Sequence, residues 1–106
     1  MGLFDLFKQA DINQGVKEYQ STSGAVLLDV RSPQEYNGGH IPGSKNIPLD
    51  TIDKVTAVAE NKDTPLYVYC LSGGRSSQAT NILKRMGYMN VNNIGGISAY
   101  SGKVEK

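Results

Sequence analysis

Cys70 is the one cysteine of the chain, and it opens the segment Cys70-Leu71-Ser72-Gly73-Gly74-Arg75-Ser76. A lone thiol forms no intramolecular disulfide, so core packing, metal ligation and nucleophilic chemistry are the roles open to it. Its neighbours separate these. Two adjacent glycines allow the tight curvature that turns successive N–H groups inward, and an arginine and two serines add donors, so the segment reads as an anion cradle. A thiol in it meets amide dipoles, the positive end of the helix that follows and the Arg75 guanidinium, all of which favour thiolate over thiol. The same donors suit a charged sulfur or oxygen on a bound donor molecule. An inert core cysteine needs no such loop. One Cys and one His make a poor start for a four-ligand zinc site, so no metal is expected.

The loop needs a strand before it and a helix after it. Pro65 restarts the chain as the apolar, aromatic run Leu66-Tyr67-Val68-Tyr69, which delivers Cys70 at a strand's carboxyl end. From Arg75 a helix is predicted, with Ala79, Ile82, Leu83 and Met86 as its apolar stripe, Lys84 and Arg85 in its last turn and Gly87 as its stop. Upstream, Asp11 with Gln14 marks a helix start; Val16 and Tyr19 give its apolar edge, and Ser21-Thr22-Ser23-Gly24 ends it. Ala25 to Val30 reads as a strand buried on both faces. Pro33 opens a one-turn helix through Gln34-Glu35-Tyr36, and Gly38-Gly39 with Pro42-Gly43 imposes a long turn that leads to Asn46-Ile47-Pro48. Asp50 is expected to cap a helix with Ile52, Val55, Val58 and Ala59 on its apolar side. Val91-Asn92-Asn93-Ile94 reads as a short strand, and Ile97 to Ser101 as the start of a terminal helix. Alternating strands and helices predict an α/β fold, a mostly parallel central sheet with helices on both faces. Such sheets hold their ligands outside the carboxyl ends of the strands, where Asp29 and Cys70 both arrive.

At 106 residues the chain is read as one domain, 1–106, with 1–10 as a loosely packed N-terminal segment around Phe4, Leu6 and Phe7. Eleven basic against ten acidic residues, a net charge of +1, build no field directed at nucleic acid or anionic lipid, so neither is expected as a partner. The opening Met1-Gly2-Leu3-Phe4-Asp5-Leu6-Phe7 lacks the basic region and cleavage site of a secretory signal, and Leu6 stands where a myristoylation motif wants Ser or Thr. No stretch is long enough to span a bilayer. The expected location is cytoplasmic.

Three separated motifs then converge. The loop fits C-x-x-G-x-R-S; Asp29-Val30-Arg31 with Glu35-Tyr36-Asn37-Gly38-Gly39-His40-Ile41-Pro42-Gly43 resembles the D-V-R…E-Y-x-x-G-H-I-P-G signature of the rhodanese family; and Gly95-Gly96-Ile97-Ser98-Ala99-Tyr100 resembles its closing motif. The similarity runs from about Asp11 to Ser101. It implies the rhodanese-like three-layer fold and a sulfurtransferase. A sulfane sulfur would pass from thiosulfate or a persulfide donor through a persulfide on Cys70 to cyanide or a thiol acceptor, with no cofactor beyond that covalent intermediate. The partners so implied are a small-molecule sulfur donor or a protein persulfide, and a thiol.

On this reading Cys70 is the nucleophile, and Leu71, Ser72, Gly73, Gly74, Arg75 and Ser76 form the substrate-binding loop. Asp29, Arg31 and Glu35 support it as a charged network, and Arg75 either touches the substrate or bridges to one of those carboxylates. The resemblance gives His40 a structural place. Ser44 and Tyr100 stand where the family usually has Ala and often Trp. Leu71 to Gly74 add no positive charge, whereas some thiosulfate-using relatives carry a basic residue in this loop, so a partner persulfide is the donor expected to work best. The other readings are a sulfur carrier or binding module without turnover, and a cysteine-dependent phosphatase or arsenate reductase. The phosphatase loop is C-x5-R, one residue longer than the span from Cys70 to Arg75.

Overall fold

The two central strand segments, Val26–Asp29 and Leu66–Cys70, are short and buried on two sides, and that pattern dictates layers above and below the sheet. A computed structural model describes residues 11–106; the expectation for 1–10 lies outside the described residues. Strands β1 (Val26–Asp29), β2 (Lys45–Asn46), β3 (Leu66–Cys70) and β4 (Val91–Gly96) form one sheet in the order β2-β1-β3-β4. Every pairing is parallel. Helix α1 spans Ile12–Ser21, α2 Pro33–Asn37 and α3 Gly74–Arg85, with 3-10 helices at Leu49–Ala57 and Ile97–Ala99. No helix of the described residues is long and apolar enough to cross a membrane.

β3 is buried along its whole length, and its alternation sorts the core. Tyr67 and Tyr69 join Ile12, Val16, Leu27, Ile41 and Ile94 beneath α1. Leu66, Val68 and Cys70 point the other way, among Leu28, Val30, Val55, Ala79 and Leu83, beneath α3 and the longer 3-10 helix. Cys70 therefore leaves the sheet on the same side as the helix that follows it.

The local signals act as their chemistry predicts. The Asp11 carboxylate accepts from the Asn13 and Gln14 amides at the start of α1. Ser32 and Glu35 form a reciprocal capping box around Pro33 at the start of α2. Three expectations change. Asp50 caps nothing: the segment begins after Pro48 as a 3-10 helix, and Thr51 leaves helical geometry with φ −127°. Its hydroxyl bonds back to the Pro48 carbonyl instead. Val58 ends the segment as its C-cap and lies at the surface, while Ile52, Val55 and Ala59 are buried. The terminal helix is a single turn, after which the chain runs extended, and Glu105 exchanges backbone hydrogen bonds of 2.8 Å with His40 in both directions. The strand expected over Ala25 to Val30 is shorter, Val26–Asp29, and at its start the Ala25 amide closes a turn onto the Thr22 carbonyl instead of joining the ladder.

Candidate active site

Cys70 pairs with Gly96 at the carboxyl ends of β3 and β4, and the chain must then reverse into α3. Gly73 makes the reversal with φ +109° and serves as the N-cap of α3; a side chain there would be strained. The result aims polar groups at sulfur. The Gly73 amide donates to Cys70 Sγ at 3.0 Å, and the thiol lies 3.5 Å from Ser76 Oγ, one turn into the helix. Burial raises the thiol's pKa, but the Ser76 hydroxyl and the amides of Ser76, Gly73 and Ser72 overcome that and hold it below its ordinary value. Cys70 is only 1 % exposed, whereas Leu71 beside it is 44 % exposed at the loop's tip.

The guanidinium expected to acidify the thiol acts on Cys70 only through space, because its hydrogen bonds go elsewhere. Arg75 donates two bonds to Glu35, 2.7 Å to Oε1 and 3.0 Å to Oε2, and these hold the Glu35 carboxyl well down, at about 2. Of the two roles open to Arg75, bridging is the one its side chain takes: it ties the first turn of α3 to α2. The supporting carboxylates do not merge into one network. Asp29 is fully buried and grips Arg31 through Oδ1 and Oδ2, with 2.7 Å the shortest contact. Arg31 then donates to the Gly39 carbonyl at 2.8 Å. That pair braces the turn at 38–41, and only Glu35 reaches the loop.

His40 belongs to the same turn. Its ring stacks on Tyr36 at 3.7 Å between centroids, and its Nδ1 is 2.9 Å from the Tyr36 carbonyl. Tyr69, whose hydroxyl ionisation burial suppresses, accepts from the Ile41 amide and donates to Ser44.

The opposite side of the loop holds what sequence reasoning missed. A Cβ on Gly96 would sit 2.2 Å from the Leu71 carbonyl oxygen and 2.5 Å from Ser72 Cα, so glycine alone lets the loop lie on β4. Ser98 fastens it there, its amide donating to the Leu71 carbonyl at 3.1 Å. The ladder of β3 and β4 slips between Val68 and Tyr69, which pair with Asn93 and Gly95 and leave Ile94 as the extra residue. The bulge turns Ile94 into the core beneath α1 and brings Asn93 Oδ1 within 2.7 Å of Ser76 Oγ. Two asparagines in a half-buried stretch of strand, a type strands disfavour, with Gly95 soon after, were the available signal. A concavity of about 330 Å³ opens between this edge and the loop, lined by Ser72, Gly73, Asn93, Gly96 and Ser98 among others. Among the described residues no group of three or more His, Cys, Asp or Glu is gathered for a metal ion.

The chain is similar to known proteins. The chain is 44% identical over 72 residues to thiosulfate sulfurtransferase PspE of Escherichia coli, covering 66% of this chain and 68% of that protein. It is 39% identical over 90 residues to the putative sulfur carrier protein YrkF of Bacillus subtilis, covering 84% of this chain and 48% of that one. It thus spans about half to two thirds of the length of these relatives. A solved structure of a rhodanese with anions from E. coli superposes with a TM-score of 0.73 at 35% identity, over 77% of this chain and 98% of that one. The Rhodanese-like domain model matches residues 13–103, and the chain accordingly belongs to the rhodanese-like domain family.

Proposed function

We propose that this protein is a sulfurtransferase that carries sulfane sulfur on Cys70. The observation that carries the reading is the single thiol at the carboxyl end of β3, ringed by the amides of Ser72, Gly73 and Ser76 and by one hydroxyl. The Cys70 thiolate attacks the outer sulfur of thiosulfate. A new S–S bond forms, the old one breaks, and its electron pair leaves with sulfite. The persulfide on Cys70 is an anion, and the amides that favoured the thiolate favour it too. Attack by cyanide or a thiolate on the outer sulfur then returns the Cys70 thiolate and releases thiocyanate or a new persulfide. No resident cofactor or metal takes part in either step.

Charge matching bears on the donor. Arg75 is committed to Glu35, and Leu71 to Gly74 are uncharged, so a thiosulfate dianion meets dipoles rather than a free cation. A protein persulfide brings its own contact surface, and the exposed Leu71 suits it. A carrier without turnover is the second reading. What favours it is that no second thiol exists to take up the sulfur, so the load stays until an outside acceptor arrives.

The test is intact mass after incubation with thiosulfate, or beside a cysteine desulfurase with its substrate, followed by cyanide. The expected result is a gain of one sulfur atom that cyanide removes, more complete with the desulfurase, and no gain in Cys70→Ser. A loaded Cys70→Ser protein sinks the proposal, as does a wild type that neither donor loads. Loading that only one partner protein can discharge identifies the carrier.

A further inference from the structure

Ser76 has one hydroxyl proton and four acceptors for it. Asn93 Oδ1 is at 2.7 Å, the Gly73 carbonyl at 3.0 Å, and the Gly95 carbonyl and Cys70 Sγ are each at 3.5 Å. The Asn93 side chain cannot turn its NH2 toward Ser76, because the Gly95 amide donates to the same Oδ1 at 3.1 Å and needs an oxygen there. Ser76 is therefore the donor in its shortest contact, and its oxygen lone pairs face the thiol. This suits protonated Cys70, whose S–H donates to Ser76 Oγ. A thiolate reverses the requirement, since it has no proton and needs that hydroxyl to point at sulfur.

We infer that Asn93 is a positioning residue that competes with the Cys70 thiolate for the Ser76 proton and so sets how readily the thiol ionises. When Cys70 ionises, the Ser76 hydroxyl swings from Asn93 to Sγ, and Asn93 keeps only the Gly95 amide. When the sulfur is loaded, Sγ is a neutral disulfide-like atom and a weak acceptor, so the proton returns to Asn93. The bulge at Ile94 makes this possible by aligning Asn93 with Ser76. The ionised groups at this end of the sheet do not take the part. Arg75 is paired with Glu35, and Asp29 with Arg31, and neither pair hydrogen-bonds Ser76 or Cys70 Sγ. The inference rests on Cys70 reacting as a thiolate, but its test needs no sulfur transfer.

The experiment follows the rate of Cys70 alkylation by iodoacetamide against pH. Ser76→Ala removes the donor to the thiolate and shifts the profile to higher pH. Asn93→Ala removes the competitor and shifts it to lower pH, with roughly threefold to fivefold faster alkylation below the midpoint, the scale of one net hydrogen bond. In Ser76→Ala, adding Asn93→Ala changes nothing, because Asn93 acts only through that hydroxyl. A shift of Asn93→Ala to higher pH, no shift, or an equal shift with and without Ser76 overturns the inference. Because Asn93→Ala also orphans the Gly95 amide, a second readout uses intact Asn93. Its side-chain NH2 resonances should follow the Cys70 titration in the wild type and lose that response in Ser76→Ala; a response that survives there overturns it as well. Wild-type loading with sulfur is scored separately, so failure here leaves the proposed activity standing.

Discussion

The loop after β3 is held by charge on one flank and by bare backbone on the other. On the α2 side, Glu35 and Arg75 form a two-bond ion pair whose side chains stay about a third exposed, 32% and 37%. On the β4 side there is no charge: Gly96 lets the Leu71 and Ser72 backbone rest on the strand, Ser98 pins Leu71, and Asn93 meets Ser76. An exposed ion pair is adjustable and screened by salt, whereas close backbone contact has no slack. The flank without charge therefore fixes the geometry at sulfur, and the charged flank steadies the frame around it.

Gly96→Ala tests this contrast most severely. Its methyl group occupies the place of the Leu71 carbonyl, so the loop must lift off β4. Expected are a loss of about 1–3 kcal/mol in urea unfolding, the cost of overpacking, and a fall of about a hundredfold in sulfur transfer from a misplacement near 1 Å. A variant with wild-type transfer breaks the comparison.

Glu35→Gln works on the other flank and should do less. A bidentate but partly exposed pair is worth about 1 kcal/mol after solvent screening. Its pH dependence has a definite sign. Glu35 titrates at about 2 in the folded protein, against 4.5 ordinarily, so the stabilisation is whole above pH 4.5 and fades as the pH falls toward 2. Urea midpoints of wild type and Glu35→Gln should therefore differ at pH 7 and converge between pH 4.5 and 2. A gap that persists undiminished at pH 2 means that lost packing, not charge, accounts for it.

Leu71→Arg has the smallest expected effect. A cation at the exposed tip should raise kcat/KM for thiosulfate about two- to fivefold in low salt, with the gain fading once salt screens beyond about 8 Å. Loading from a protein persulfide should not improve. An unchanged kcat/KM in the folded variant means that the uncharged tip is not what limits thiosulfate.

The elements that frame the loop were legible in the sequence. Ser32, Pro33 and Glu35 announce a capped helix, the apolar run before Cys70 announces a strand buried on both faces, and Gly73 announces a turn; each signal is local and each acts where it stands. What was not legible depends on residues far apart. Nothing near Arg75 says that its partner is Glu35, forty positions away, rather than a substrate. Nothing in Asp29-Val30-Arg31 says that its carboxylate and guanidinium close on each other and leave Glu35 to act alone. Asn93 acquires its role only from a slip in strand register, and Asp50 loses its cap because Pro48 and Thr51 bend the segment that it was expected to start.

The strand order has a consequence for how the protein matures. β3 lies between β1 and β4, so the surroundings of Cys70 draw on segments on both sides of it in the chain, the last being β4. On a ribosome the cysteine emerges more than twenty residues before Gly96 does, and until β4 pairs with β3 the loop has no strand to rest on. During synthesis that pairing closes last because β4 is the last strand made. A nascent or half-folded chain thus carries an accessible thiol of ordinary acidity, in place of the buried one of the finished fold. Closing the last strand should therefore change the exposure and acidity of Cys70 together, and its alkylation rate can serve as a clock for that step.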